Sequence, residues 1–421
     1  MYKFAIVGFG CAGYHAARAI REGCPQAVID IYERAPRGGA NPMLTTYYAG
    51  GKIGFEQMFP FGKMEDICRE LGLTLIKDEV AAVEAEKRAV VTRDGAEHGY
   101  DKILVSTGAS ALMPEQIAVE EGAKPFLMRT VQEAEGLKEY LASHEVKSAA
   151  VIGASMVGIK VAEITYKRGI KTALLGRRGI FSQAAYPSTA KRITETLEGM
   201  GVRVQMGVRI AAISPRGVVF ADGSVLEADM VCMCMGTRAN TELVANTRVV
   251  EAQPITVRRG IVIDTHMRTS CPGIYAAGDC CEGTNIQTGE TAIIGLWASA
   301  AAQGQCAGEN MIGLDTEYYG GIPHNITHFF GMTFVGLGDP AIPGEHRVFQ
   351  SGNMTVEAVT NEKGLMSINI FGDCEISGVL KSALMKQLGT GQRGVAPIQR
   401  ALMENAGMPK DFIEFIGGEK Q

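Results

Sequence analysis

Two glycine-rich turns, each behind an apolar strand-like run and each opening a helix, restrict this chain to few folds. The first reads Phe4-Ala5-Ile6-Val7-Gly8-Phe9-Gly10-Cys11-Ala12-Gly13. The second reads Ala150-Val151-Ile152-Gly153-Ala154-Ser155-Met156-Val157-Gly158, with Gly153 following Gly8 by 145 residues. Strand, glycine turn and helix in that order make a βαβ unit built to hold a dinucleotide. One such run is a weak signal, because short glycine patterns recur by chance. Two in one chain imply two nucleotide cofactors, and an enzyme holding two dinucleotides passes electrons between them.

In the first unit a strand over Phe4–Gly8 leads through the turn to a helix from about Ala12 to Glu22. A second strand over 27–32 then ends at Glu33. Gly8 permits the tight turn, Gly10 lets the backbone approach a pyrophosphate, and Gly13 lets helix and strand pack closely. The helix N-terminus offers unpaired N–H groups and a positive dipole end to the phosphates. Glu33 lies 20 residues past Gly13, where a carboxylate accepts hydrogen bonds from ribose hydroxyls. A further strand over 101–105 runs into Ser106-Thr107-Gly108-Ala109.

The second unit repeats the plan with a strand over 148–153, a helix to about Arg168 and a strand over 172–175. Ala221-Asp222-Gly223-Ser224 reads as a hairpin turn. Ser155 replaces the middle glycine, and the strand after the helix ends in Gly176-Arg177-Arg178 instead of an acid. A carboxylate there repels a 2′-phosphate, whereas guanidinium groups grip it, so NADPH is expected over NADH. The alternative for both arginines is a solvated surface loop.

A chain of 421 residues predicts two or three domains, and 46% hydrophobic residues suffice for substantial cores. A net charge of −5 without a basic stripe argues against nucleic acid. No run reaches the apolar length of a membrane span, and the strand-like start leaves no room for a signal peptide. A soluble cytoplasmic protein is the expectation. None of the ten cysteines stands in Cys-x-x-Cys spacing, so no iron–sulfur or structural zinc site, and no metal, is expected. Most of them read as small hydrophobes of a reduced compartment.

Four segments in order carry a resemblance to the FAD-dependent pyridine nucleotide-disulfide oxidoreductase superfamily over most of the chain. They are the two glycine turns, Ser106-Thr107-Gly108-Ala109, and Ile274-Tyr275-Ala276-Ala277-Gly278-Asp279. Gly236-Thr237-Arg238-Ala239-Asn240 also resembles the turn that leaves the nicotinamide domain in those proteins. The resemblance implies an α/β fold with two Rossmann-like domains, for FAD and NAD(P)H, plus a C-terminal α+β interface domain used for dimers. The expected boundaries are 1–110 with 246–317 for FAD, 111–245 for NAD(P)H, and 318–421 for the interface. It also implies that Asp279 binds the flavin ribityl chain and that the helix beginning near Trp297 points its N-terminus at the flavin pyrimidine. The expected FAD contacts are Gly8, Gly10, Cys11, Ala12, Gly13, Glu33, Arg34, Val80, Thr107, Gly108, Gly278, Asp279 and Trp297. Those for NAD(P)H are Gly153, Ser155, Met156, Val157, Gly158, Arg177, Arg178 and Gly236.

The disulfide reductases of that superfamily carry a redox cysteine shortly after the first acidic strand end. Residues 38–59 contain no cysteine here, and the next one is Cys68. No His-Pro pair of the two-cysteine branch occurs either. Pro42-x-Leu44-Thr45 instead resembles ferredoxin- and rubredoxin-reductase-like members, with Thr46 where those often place a lysine near the flavin. The expected function is therefore hydride uptake from NAD(P)H by FAD, then direct electron transfer to a protein partner, an iron–sulfur protein or another subunit. Hydride transfer requires no acid or base side chain, so no catalytic residue is named. The alternatives are a stand-alone NAD(P)H oxidase or small-molecule reductase, a thiol reductase using Cys280 or Cys281 as a displaced thiol, and a flavin-bearing assembly or signalling protein. His324 and His328 read as satisfied structural histidines that could otherwise face a flavin or a partner.

Overall fold

Alternation along the first strand explains the first sheet of the computed structural model, which describes residues 2–35, 37–245, 254–372, 374–391 and 394–417. Phe4 and Ile6 point to one face and join Ile29, Ile31 and Leu104 in one buried cluster. Ala5 and Val7 point to the other and join Ile103, Val105 and Ile274. A strand apolar on both faces belongs inside a parallel sheet covered on both sides. The sheet is parallel throughout, in the order Ile274–Ala276, Lys102–Val105, Lys3–Val7, Val28–Tyr32, Thr74–Ile76.

The chain forms two compact units. The first comprises residues 1–111, 129–138 and 237–321, and the second comprises 112–128, 139–236 and 322–421. In the first unit the helices Cys11–Gly23 and Trp297–Met311 cover one face of the sheet. They meet through small residues. A Cβ added to Gly304 would lie 2.2 Å from the Ala12 carbonyl oxygen, and one on Gly308 would lie 2.6 Å from that of Ala16. Backbone contact at this range is open only to glycine.

The second unit repeats the architecture. A parallel sheet runs in the order Arg203–Met206, Lys171–Gly176, Ser148–Ile152, Met230–Met233, with the helix Met156–Lys167 following its glycine turn. The expected hairpin at 221–224 joins Gly217–Phe220 to Val225–Glu227. After it comes a five-stranded antiparallel sheet in the order His324–Phe329, Met332–Leu337, Gly364–Phe371, Met354–Asn361, Glu345–Ser351. Helices Ser377–Thr390, Pro397–Asn405 and Lys410–Gly417 close the chain. The expected boundary at residue 246 lies outside the described residues.

The two histidines of the first strand in this antiparallel sheet differ. His328 Nδ1 shares a hydrogen bond with Thr333 Oγ1 at 3.0 Å, as a structural histidine should. His324 departs from the expectation, because its buried Nε2 has no partner among the described residues. Burial, with Lys381 adding to it, lowers its pKa from 6.5 to about 4. The folded ring therefore stays neutral while the unfolded chain takes up a proton between pH 6.5 and 4. Its contribution to stability is intact above pH 6.5 and is lost as the pH falls toward 4. Thermal midpoints measured across that window should fall with acidification, and His324→Gln should make the fall shallower. Equal slopes in the two proteins would exclude this residue as the cause.

Candidate functional site

The first glycine turn opens onto a cavity of about 720 Å³ within the first unit, a size typical of ligand sites. Gly8 has φ +95°, and a Cβ on it would stand 2.5 Å from the Ser106 carbonyl oxygen, so no other residue fits. Gly10 is different: a Cβ there would have no atom within 4 Å and would project into open space. Gly13 stands behind the cavity rather than on its wall. Its added Cβ would be 2.3 Å from the Gly8 oxygen, which fixes its role as helix-to-turn packing. The helix Cys11–Gly23 has Gly10 as its N-cap, with no side chain capping it. Its first-turn N–H groups and dipole are thus offered at a wall formed by Gly10, Cys11 and Ala12. An anion is the natural complement of such a terminus.

Glu33 holds the turn as well as lining the cavity. Its Oε2 accepts from Phe9 N at 2.8 Å and its Oε1 from Ala35 N at 2.8 Å. Each carboxylate oxygen keeps a lone pair for a hydroxyl. Arg34 and Val80 line the same cavity, and Glu79 there pairs with Arg34 at 3.3 Å and Arg93 at 2.9 Å. Asn240 ties two expected segments together. It donates through Nδ2 to the Thr107 oxygen at 2.9 Å, and its own backbone oxygen accepts from Thr107 Oγ1 at 2.7 Å. Thr107 and Gly108 are thereby fixed on the wall.

Gly278, Asp279 and Trp297 complete the set of expected residues on this wall. Sequence reasoning missed Arg129, which pairs with Asp279 through Nη2 and donates from Nε to the Ala109 oxygen at 3.1 Å. It also missed Arg37, whose guanidinium pairs with Glu56 and lies 3.8 Å from the Phe59 ring centroid. The buried Arg37 Nε has no partner among the described residues, although the residue lines the cavity. A free donor, an uncapped helix terminus and an open glycine cradle together suit the diphosphate and ribose of a dinucleotide.

The thiols at and behind the wall are buried. Cys11 is the cysteine on the wall; its Sγ donates to the Trp297 oxygen at 3.3 Å. Burial, and then the charge of Asp279, pushes its pKa up to about 12, so it is a thiol and not a thiolate at neutral pH. Cys280 and Cys281 are fully buried and do not line the cavity. Cys280 donates to the Ala277 oxygen at 3.3 Å and Cys281 to the Gly278 oxygen at 3.2 Å. The hydrogen bond from Cys281 lowers the Cys280 pKa and raises its own, so it is enclosure behind the wall that separates these thiols from the cavity. Thr45, Pro42 and Met43 reach the wall, whereas Thr46 is buried away from it.

In the second unit Gly153 has φ +108°, and a Cβ on it would be 2.3 Å from the Cys234 oxygen. Ser155 caps the helix: its Oγ accepts from Gly158 N at 3.2 Å and donates to the Cys234 oxygen at 2.9 Å. The serine thus substitutes a cap for the missing glycine's closeness. Met156 and Val157 form the half-buried first turn of the helix, and Gly158 packs directly on Gly153. Arg177 and Arg178 are exposed just past the strand Lys171–Gly176, and neither forms an ion pair with a described residue. Gly236, with φ +103°, is exposed.

Known proteins resemble this chain along its length. A family model described as pyridine nucleotide-disulphide oxidoreductase matches residues 2–304. The NADH oxidase of Methanocaldococcus jannaschii is 27% identical over 323 residues, spanning 75% of this chain and 71% of that protein. The NADH-dependent phenylglyoxylate dehydrogenase subunit epsilon of Aromatoleum evansii is 25% identical over 418 residues, spanning 96% and 95%. Among solved structures, the water-forming NADH oxidase from Lactobacillus brevis superposes with a TM-score of 0.85 at 21% identity, covering 99% of this chain and 98% of its own. That likeness bears out the expected α/β architecture with parallel sheets and a C-terminal antiparallel sheet. No helix among the described residues is long and apolar enough to cross a membrane.

Proposed function

Because the chain belongs to the pyridine nucleotide-disulphide oxidoreductase family and is an FAD- and NAD(P)H-dependent oxidoreductase, we propose that it delivers electrons straight to a protein partner, without a redox disulfide. When bound, FAD would supply the redox chemistry between NAD(P)H and an iron–sulfur protein or another subunit, and this chain would hold and orient it. The observation that carries this reading is the missing thiol. Residues 38–59 hold no cysteine, and the one cysteine on the described cavity wall is buried and protonated. Attack on a disulfide requires an accessible thiolate. A relative matched from end to end is itself, by name, a subunit of an NADH-dependent dehydrogenase.

The chain's residues serve positioning and electrostatics in this scheme. The Cys11 helix terminus would hold the FAD pyrophosphate, Glu33 the adenosine ribose hydroxyls, and Asp279 the ribityl hydroxyls. The turn at Gly153–Gly158 receives NAD(P)H, and Arg177 with Arg178 favours a 2′-phosphate. The FAD part takes residues 1–110 and 246–317, the NAD(P)H part 111–245, and the remainder serves as an interface in a cytoplasmic homo-oligomer. A stand-alone oxidase is the second reading, favoured by the name of the Methanocaldococcus jannaschii relative.

Two measurements test the proposal. Holoenzyme treated with iodoacetamide should still pass electrons from NADPH to a [2Fe–2S] ferredoxin or a rubredoxin, faster than to oxygen. Loss of transfer to every acceptor after alkylation would restore a thiol relay, and rapid oxygen turnover with neither protein reduced would favour the oxidase. Arg177→Ala should raise the KM for NADPH on the order of tenfold or more and spare NADH. An unchanged coenzyme preference would remove the arginine assignment.

A further inference from the structure

The segment that follows Arg177 and Arg178 is fastened to the C-terminal antiparallel sheet by buried polar groups. Phe181 adopts φ +51°, an unfavourable conformation for a residue with a Cβ. Its N–H donates to the Ala154 oxygen of the second glycine turn at 2.9 Å, and its own oxygen accepts from Ala184 N and Ala185 N at 2.7 and 2.8 Å. The ring packs between Phe329 and Phe334, with centroids 5.6 and 4.9 Å away.

Three residues on, the sheet grips the backbone itself. Asn369, 1% exposed, donates through Nδ2 to the Ala184 oxygen at 2.8 Å and accepts from Tyr186 N at 2.7 Å. The Tyr186 hydroxyl bonds Ser367 Oγ. Glu357, also 1% exposed, accepts from Ser188 Oγ and Thr189 Oγ1, each at 2.5 Å, in the first turn of the helix Pro187–Gly199. His346 Nε2 lies 3.1 Å from the same carboxylate.

We propose that Asn369 and Glu357 are positioning residues for the pyridine-nucleotide coenzyme, acting through the segment 177–189 that they hold. The proposal rests on the placement of NAD(P)H at the second glycine turn. Apolar side chains would join a sheet to a helix at least as stably, because a buried carboxylate gives up its hydration. Directional bonds to Ala184, Tyr186, Ser188 and Thr189 do something burial does not: they fix where the backbone stands. Through the Phe181–Ala154 bond that position passes to the glycine turn, and through the chain to Arg177 and Arg178. Misplacement of a binding loop by about 1 Å is enough to cost a large factor in affinity or rate.

The test uses the holoenzyme with Asn369→Asp, which keeps the bond from Tyr186 N and repels the Ala184 oxygen, and with Glu357→Ala and Glu357→Gln. NADP+ affinity is read by titration, alongside kcat with ferricyanide, FAD content and thermal midpoint. Asn369→Asp and Glu357→Ala should weaken NADP+ binding on the order of tenfold while kcat at saturation and FAD content stay within about twofold. Glu357→Gln, which keeps one acceptor oxygen, should recover part of the loss. If Glu357→Ala does not fold, the glutamine and Asn369→Asp variants decide. Unchanged affinity with a lowered midpoint would overturn the proposal and leave these residues a purely structural role. Arg177→Ala runs in parallel: if it weakens NADP+ binding and the sheet variants do not, this inference alone fails. If neither does, the coenzyme placement fails with it.

Discussion

Gly158→Ala should slow flavin reduction by both NADPH and NADH roughly a hundredfold or more in a protein that still carries FAD. A Cβ on Gly158 would stand 1.8 Å from the Gly153 oxygen and 3.0 Å from its carbon. The obstacle is backbone, and it has nowhere to go. Gly153 already holds φ +108° and donates its N–H to the Leu175 oxygen at 2.8 Å, and a Cβ on it would meet the Cys234 oxygen at 2.3 Å. The helix Met156–Lys167 must therefore move off the turn, taking its N-terminal N–H groups with it. A shift of about 1 Å in the groups proposed to receive the coenzyme would cost roughly a hundredfold or more in kcat/KM. Gly13→Ala makes the comparison in the first unit, where the same Cβ would meet the Gly8 oxygen at 2.3 Å. It should yield protein depleted of FAD. Flavin absorbance per chain and the anaerobic reduction rate separate the two outcomes. A Gly158→Ala protein reduced at the wild-type rate would show that the second turn does not receive the coenzyme.

The glycines were legible in the sequence because tight turns and close approaches leave one residue type standing. The same holds for the 221–224 hairpin, where turn geometry and flanking strands agree. Arg129 and Arg37 were not legible. Arg129 meets Asp279 across 150 residues of chain, and nothing around it in sequence separates a cavity arginine from a surface one. Polarity misleads in the C-terminal sheet in a different way. The strands Met354–Asn361 and Gly364–Phe371 alternate apolar with polar residues along much of their length, yet Thr355, Glu357, Ser367 and Asn369 are buried. Period alone assigns such residues to solvent. Glu357, Ser367 and Asn369 are inside because Tyr186, Ser188, Thr189 and Ala184 supply partners from far away in sequence, whereas Thr355 Oγ1 donates to Gln350 Oε1 at 3.1 Å on the adjacent strand.

Asp279→Ala should weaken FAD binding, and the pairing with Arg129 makes the loss larger than that of one ligand. The two side chains are about one-fifth exposed, at 21% for Arg129 and 17% for Asp279. Removing the carboxylate takes away the acceptor proposed for cofactor hydroxyls and leaves the guanidinium without its counter-charge in the cavity. Breaking one side of a fully buried pair costs about 3–5 kcal/mol. With this exposure about 2–3 kcal/mol is the expectation, or roughly 30- to 150-fold in FAD affinity. The companion Arg129→Met isolates the other half, since Asp279 then keeps its lone pairs for the cofactor but loses orientation. Its loss should be smaller. The double variant should lose less than the two single losses combined, because no unpaired charge is left behind. Flavin fluorescence titration of the apoprotein measures all three. If Asp279→Ala binds FAD as tightly as the wild type while Gly13→Ala does not, the carboxylate is a local strut for Arg129 and Ala109 rather than a cofactor ligand, and the cavity's contact set must be redrawn around the Cys11 helix terminus and Glu33.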